Sequence, residues 1–186
     1  MRLFDQSLSE TNLARTLDPV SLEATLDLSW NYLEAGRFDL LTSHNRKVLD
    51  IDPNFAWGHA FLGWASARRG VTEEGLRHAA KAARNDDSSV ILGFLGEIHA
   101  MAGQRDAAEQ VLGRLRSKAT RHYVCPHEIG ALQAALGRYG EAIDSLEQAY
   151  QVRSECVAFL TVDPRVDSLR SNPRFQQLLA RIEHRH

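Results

Sequence analysis

The sequence contains few residues that cross-link or interrupt a fold, since two of its 186 residues are cysteines and five are prolines. Cys125 and Cys156 are interpreted as two free thiols in a reducing compartment, with a single disulfide as the alternative. The sequence also has no excess of basic residues, since it contains 22 Lys and Arg residues and 24 Asp and Glu residues. A net charge of −2 argues against a general nucleic-acid or anionic-membrane binder, which needs a basic face.

Long apolar runs are absent as well. No window approaches the roughly 18 consecutive apolar residues of a transmembrane helix. The first ten residues, MRLFDQSLSE, lack the apolar core of about 7–15 residues that a secretory signal requires. We therefore expect a cytoplasmic protein with neither a membrane nor a nucleic acid as its partner.

Strand signals are weak, whereas helix signals are abundant. Residues 73–86 and 106–119 are rich in Ala, Leu, Glu, Lys and Arg, which have high helix propensity. The sequence therefore predicts an all-α fold.

Four glycines recur at a nearly fixed interval. Gly36, Gly70, Gly103 and Gly137 are separated by 34, 33 and 34 residues, and each follows an apolar helical stretch and precedes another. Glycine just past a helix end adopts the left-handed conformation without a Cβ penalty. Each glycine is therefore predicted to mark the turn of a helical hairpin, in a chain built of repeats.

Small residues recur at a fixed distance from these turns. Gly63, Gly96 and Gly130 each lie seven residues before a glycine turn. Small residues that alternate with large ones at matched places allow two helices to nest closely. The pattern indicates closely packed antiparallel helix pairs.

The pattern resembles the tetratricopeptide repeat, a helix–turn–helix unit of 34 residues. The resemblance spans about residues 22–153 and is strongest at 123–151, while Pro53 matches the closing proline of the family. Departures occur at Leu41 and Val48, which replace small residues, and at Gly75, where alanine is usual. The family positions matched within 123–151 are Gly130, Gly137, Tyr139, Ala142 and Ala149.

The resemblance implies one all-α domain over residues 1–186, a right-handed α-α superhelix in the form of a solenoid. Its expected parts are a half repeat at 2–19, full repeats at 22–55, 56–88, 89–122 and 123–155, and C-terminal capping helices at 156–186. Each hairpin of such an array buries its apolar faces against its neighbours.

Residues 117–182 resemble a more specific group, the C-terminal tetratricopeptide modules of bacterial multidomain regulators. In those proteins the module follows a winged-helix, Ser/Thr kinase or nucleotide cyclase domain. The resemblance implies the interaction arm of a bacterial regulatory protein.

Residues 2–17 are interpreted as the second helix of an earlier repeat whose first helix is absent. Leu17–Pro19 precede the similar Ile51–Pro53 by 34 residues. The chain is either a piece cut from a longer protein, which we favour, or a natural protein capped by its half repeat. The lone helix would expose an apolar stripe that another copy of the chain could cover, giving a homodimer. That stripe consists of Leu3, Phe4, Leu8, Leu13 and Leu17.

The segment 159–182 is interpreted as a structural cap rather than as an anion site. Asp163-Pro164 and Asn172-Pro173 have the form of two helix starts, with Asp or Asn as the N-cap and Pro at the first helical position. An apolar stripe follows at Phe175, Leu178, Leu179 and Ile182. The arginines expected on or near the solvent side are Arg165, Arg170, Arg174 and Arg181.

One cluster, His122, Cys125, His127 and Glu128, contains residue types that ligate zinc. No second Cys/His pair stands at a zinc-finger spacing, so a metal site near His122–Glu128 is a minor alternative. On a helix, Cys125 and His127 point about 200° apart, which disfavours a nucleophile–base pair. Phosphate-cradling glycine motifs are absent. We therefore expect no catalytic residue, no metal, no cofactor and no enzymatic activity.

The resemblance places the first helix of each repeat along a concave groove. All three tryptophans fall at predicted groove positions, which fits an aromatic anchor surface for a peptide or helix of another protein; the alternative is that they pack helices. The family's carboxylate clamp is not expected, because its places hold Leu26, Trp30, Ala60 and Trp64. Trp64→Ala is expected to weaken partner binding and to leave helicity intact. The predicted contact residues are Trp30, Trp57, Trp64, Arg68, Glu97 and His127.

Overall fold

The computed structural model describes residues 22–184, so the predicted half repeat at 2–19 and its apolar stripe lie outside the described residues. In this part of the chain the regular structure is entirely helical. Eight α-helices form four successive hairpins. They are α1 (Leu22–Glu34), α2 (Phe38–Ile51), α3 (Ala56–Arg68), α4 (Thr72–Asn85), α5 (Ser89–Met101), α6 (Arg105–Ala119), α7 (Pro126–Ala135) and α8 (Tyr139–Gln151).

The glycine turns are confirmed. Gly36, Gly70, Gly103 and Gly137 have φ values of 66°, 85°, 74° and 77°. At the first turn the Arg37 backbone N–H donates to the carbonyl of Tyr32 at 2.8 Å, and the equivalent bond recurs after the other three glycines. These bonds satisfy carbonyls that the helix end leaves free, as in a Schellman motif.

The helices of a hairpin approach closely where the sequence has small residues. A Cβ atom placed on Gly63 in α3 would lie 2.9 Å from the carbonyl oxygen of Gly75 in α4. A Cβ atom placed on Gly75 would lie 2.8 Å from the carbonyl oxygen of Gly63. The departure from alanine at Gly75 therefore has a steric cause, because the two backbones touch there.

The helices form two layers that differ in composition. α3, α5 and α7 pack against one another, with α1 beside α3, and form an inner layer. α5 is apolar almost all round and residues 91–98 are all buried, whereas α4 carries a strongly amphipathic pattern and buries three residues. Helices that are apolar on every side occupy the interior, and amphipathic ones cover it.

The C-terminal segment continues as two 3₁₀ helices, η1 (Glu155–Phe159) and η2 (Pro164–Leu169), followed by α9 (Pro173–Glu183). The predicted N-caps are confirmed: the Asp163 side chain accepts from the Arg165 N–H at 2.8 Å, and Asn172 accepts from the Arg174 N–H at 2.9 Å. The stripe of α9 joins the core cluster of the last hairpin through Phe175, Leu178 and Ile182, with Leu179 partly buried beside it.

The prediction for Arg165 is wrong. Its side chain has no exposed surface, because η2 packs on α7 and turns this arginine into the inner layer rather than toward solvent. Arg174 is exposed and pairs with Asp144 and Glu147, and the exposed Arg181 lies over the ring of Tyr150. The cap thus also fills part of the inner face.

Among residues 22–184, none of the helices combines the length and the apolar composition that crossing a bilayer requires.

Candidate functional site

Arg165 is the centre of a buried ion network on the inner face. Its Nη2 atom lies 2.8 Å from Glu97 Oε1 and 2.6 Å from Glu128 Oε2, and its guanidinium carbon lies 4.8 Å from the centre of the Phe94 ring. α5 supplies Glu97 and Phe94, α7 supplies Glu128, and η2 supplies the cation. The arrangement combines charge-assisted hydrogen bonds with a cation–π contact.

His127 extends the network along α7. Its Nε2 lies 2.9 Å from Asp163 Oδ2, and its Nδ1 lies 3.3 Å from Glu128 Oε1. Burial alone would lower the pKa of His127, but the two carboxylates outweigh it and raise the pKa to about 10. The imidazole is therefore held as a cation at neutral pH.

Trp64 of α3 donates a hydrogen bond to this network. It is 1% exposed, and its Nε1–H donates to Glu97 Oε2 at 3.0 Å. Arg68, at the end of the same helix, is exposed and lies 3.4 Å from Asp167 of η2. Trp64, Glu97 and His127, three of the six predicted contact residues, are thus buried within the protein, and the expectation for Trp64→Ala changes from lost binding to lost stability.

Trp30 and Trp57 have a different environment, because they are half-buried walls of a pocket of about 840 Å³. Their ring centres lie 6.2 Å apart, and Trp30 also packs edge-on against Phe61 at 5.2 Å. Phe159 of η1, which is half exposed, forms part of the opposite wall. The pocket is lined by residues of α1, α3, α5 and α7 and by the segment that carries η1 and η2.

Carboxylates outnumber cations around the pocket. Five carboxylates line it against two cations, His127 and Arg165, which the buried network already neutralises. No basic residue between 22 and 184 lies within ion-pair distance of Asp27, Glu34 or Glu155. The five lining carboxylates belong to Asp27, Glu34, Glu128, Glu155 and Asp163.

Glu34 is a pocket carboxyl group whose pKa is raised by its surroundings. Burial and the nearby negative charge of Asp163 raise the pKa of Glu34 from 4.5 to about 7. A cation that enters the pocket would stabilise the ionised form of this carboxyl group.

The four residues of the metal-like cluster do not converge on one point. His122 is exposed, Cys125 is buried with its Sγ 3.2 Å from Ser154 Oγ, and His127 and Glu128 face the ion network. In the described part of the chain, no group of three His, Cys, Asp or Glu side chains is arranged to hold a metal ion.

Sequence reasoning missed Arg165 and Glu34 as parts of the site. One signal for Arg165 was present: Glu97 and Glu128 stand among apolar residues on predicted helices, and buried carboxylates require a cation. The position of Glu34 beside Asp163 depends on the path of the chain after α8 and has no local signal.

The architecture matches that of a solved structure. TTC0263, a thermophilic TPR protein in Thermus thermophilus, aligns with a TM-score of 0.64 and 19% sequence identity, covering 95% of this chain and 91% of that one. The chain has the tetratricopeptide-repeat fold.

A second solved structure, MamA, is similar with a TM-score of 0.45 and 19% identity, covering 85% of this chain and 96% of its own. No protein-family model and no curated protein matches the sequence. The assignment of the tetratricopeptide-repeat fold rests on the architecture shared with TTC0263.

Proposed function

We propose that this chain is a non-catalytic protein-interaction module that binds a peptide or a helix of another protein on its inner face. The observation that carries the proposal is the pocket with Trp30 and Trp57 in its wall. Half-buried aromatic side chains beside an open cavity form the anchor sites on which binding energy concentrates.

The binding surface proposed here is smaller than the groove predicted from the sequence. Residues of η2 occupy the inner face along α7 and reach α5 and α3 through Arg165 and Asp167. The open part lies toward α1, where Trp30, Trp57 and Phe159 line the pocket. Arg68 lies outside this pocket. His127 lines it, and Trp64 and Glu97 belong to the same buried network as His127.

The biological setting is proposed from sequence resemblance. The similarity of residues 117–182 to C-terminal modules of bacterial multidomain regulators supports an interaction role within a bacterial regulatory protein of the cytoplasm. The pocket offers such a protein one site for a short linear segment of its partner.

Self-association is a second proposal, supported by the apolar stripe predicted for residues 2–17. Light scattering of the full chain over a range of concentrations tests it. A mass that doubles at high micromolar concentration supports a homodimer, whereas a constant monomer mass removes this proposal.

The main proposal is tested by selecting peptides from a random display library on the full chain. Selected peptides should bind Trp57→Ala at least about tenfold more weakly, because an interface anchor contributes on the order of 2 kcal/mol. Tyr139→Ala is the matched control, since Tyr139 is an exposed aromatic residue at the start of α8, outside the pocket.

Circular dichroism of both variants establishes that they are folded. If no peptide is selected, or if the selected peptides bind Trp57→Ala as well as they bind the unaltered chain, the pocket is not the partner site.

A further inference from the structure

We propose that the pocket beside Trp30 and Trp57 recognises a cationic side chain, lysine or arginine, that a partner peptide inserts between the aromatic wall and the carboxylates. This inference rests on the proposed function and names the chemistry of the partner.

The lining of the pocket is complementary in charge to a cation. Asp27 and Glu34 come from α1, and Glu155 comes from η1 across the pocket. These three carboxylates have no basic partner in the part of the chain that the structure describes. A cation placed among them would gain Coulomb attraction from both sides of the opening, and the partial burial of Glu34 reduces screening by water.

The aromatic wall of the pocket, formed by Trp30 and Trp57, also suits a cationic side chain. Trp30 and Trp57, which both line the pocket, stand at 65° to one another with ring centres 6.2 Å apart. Indole faces attract ammonium and guanidinium groups more strongly than other aromatic rings do. The aliphatic stem of lysine or arginine can pack against such a wall while its charged head reaches the carboxylates.

The same inner face already holds one cation between carboxylates and against an aromatic ring. The guanidinium of Arg165 lies over the ring of Phe94 and between the carboxylates of Glu97 and Glu128. The pocket repeats this combination of ring and carboxylates directly beside it, but the described residues place no free cation there. A partner's lysine or arginine would complete the second site as Arg165 completes the first.

A neutral apolar anchor is the competing occupant. It would use the aromatic walls and would desolvate the carboxylates of Asp27, Glu34 and Glu155, which have no basic partner among residues 22–184. That outcome is disfavoured because desolvating unpaired carboxylates opposes binding. Comparing arginine with citrulline, its neutral analogue of nearly the same shape, tests whether the positive charge of the occupant contributes to binding.

The experiment titrates the full chain with N-acetyl-arginine amide and with N-acetyl-citrulline amide. The indole N–H signals of Trp30 and Trp57 are followed by NMR. The buried Trp64 serves as the internal reference. We expect the arginine derivative to shift the Trp30 and Trp57 signals and to bind more weakly as salt is added. The citrulline derivative should bind about three- to thirtyfold more weakly, the range of a cation–π contact with partial desolvation.

Glu34→Gln provides the matched variant. It should weaken binding of the arginine derivative about threefold or more and leave the citrulline derivative unaffected. Asp50→Asn is the control, because Asp50 is an exposed carboxylate on α2 outside the pocket. N-acetyl-lysine amide should behave like the arginine derivative.

Equal binding of the arginine and citrulline derivatives would overturn the inference, as would the absence of any shift at concentrations on the order of 0.1 M. Failure of the proposed function looks different, because display then selects no peptide that depends on Trp57. If selected peptides depend on Trp57 but contain no required lysine or arginine, the proposed function stands and the cationic partner is refuted.

Discussion

Arg165 and Glu97 lie 68 positions apart in the sequence, and their side chains meet at 2.8 Å in the interior of the protein. This pair fixes the C-terminal segment on the inner face of the solenoid. It thereby determines which predicted groove residues are buried and which remain open to a partner.

Removing the cation of this pair should cost more stability than removing an exposed one. Arg165→Met would leave Glu97 buried without a counter-ion and Glu128 with His127 alone, and we expect a loss of about 3–5 kcal/mol in the free energy of unfolding. Arg174→Met is the control: Arg174 is exposed and pairs with Asp144 and Glu147, and its loss should lower stability far less, because water screens an exposed ion pair. Urea denaturation measures both. Similar losses for the two variants would show that the network is not the structural centre of this region.

Trp64 and Trp57 should separate stability from binding. Trp64→Ala removes a fully buried ring and the donor to Glu97, so we expect a loss of about 3–5 kcal/mol in unfolding free energy. Trp57→Ala removes a half-buried pocket wall and should lower stability less while weakening peptide binding. Thermal denaturation and fluorescence anisotropy with a selected peptide measure the two effects. The opposite pattern, with Trp64→Ala stable and deficient in binding, would restore the groove predicted from the sequence.

The contact between α3 and α4 gives a prediction with an internal control. Gly63→Ala places a Cβ atom 2.9 Å from a backbone carbonyl and should destabilise the protein by about 1–3 kcal/mol. Gly113→Ala lies in α6 with no atom within 4 Å of the added Cβ, and it should stabilise by roughly 0.5–1 kcal/mol through helix propensity. Melting temperatures that move in the same direction would contradict the close approach of the two helices.

The raised pKa of Glu34 predicts a pH dependence of stability and of binding. The folded chain binds this proton more tightly than the unfolded chain, so stability should decrease as the pH rises from about 4.5 to about 7. Cation binding should strengthen over the upper part of that range, because Glu34 then ionises. The charged groups around the same pocket are Asp27, His127, Glu128, Glu155, Asp163 and Arg165.

Glu34→Gln is the variant that tests this assignment. The decrease in stability between pH 4.5 and 7, measured by denaturation at a series of pH values, should become smaller in Glu34→Gln than in the unaltered chain. A decrease of the same size in both proteins would assign the pH dependence to another group.

The sequence allowed the helical turns to be predicted because their cause is local. A glycine past a helix end needs no distant partner to adopt a positive φ, and all four turns have that conformation. The N-caps at Asp163 and Asn172 were predictable for the same reason, since each accepts a bond from a residue two positions away.

The orientation of Arg165 was not predictable in this way. Its neighbours in sequence indicate a polar surface, and only the distant carboxylates of Glu97 and Glu128 make its burial favourable. The same holds for Trp64, whose helical position suits a groove but whose indole packs against Phe38 and donates to the distant Glu97. Prediction from the sequence therefore failed for side chains whose environment depends on contacts between distant repeats.

Hydrogen exchange of the full chain with a selected peptide tests the partner site most directly. The account predicts slower exchange in α1, in α3 and in residues 155–163 when the peptide is bound, because these elements surround the pocket. Protection confined to α2, α4, α6 and α8 would contradict it, since those helices form the outer layer, away from the pocket.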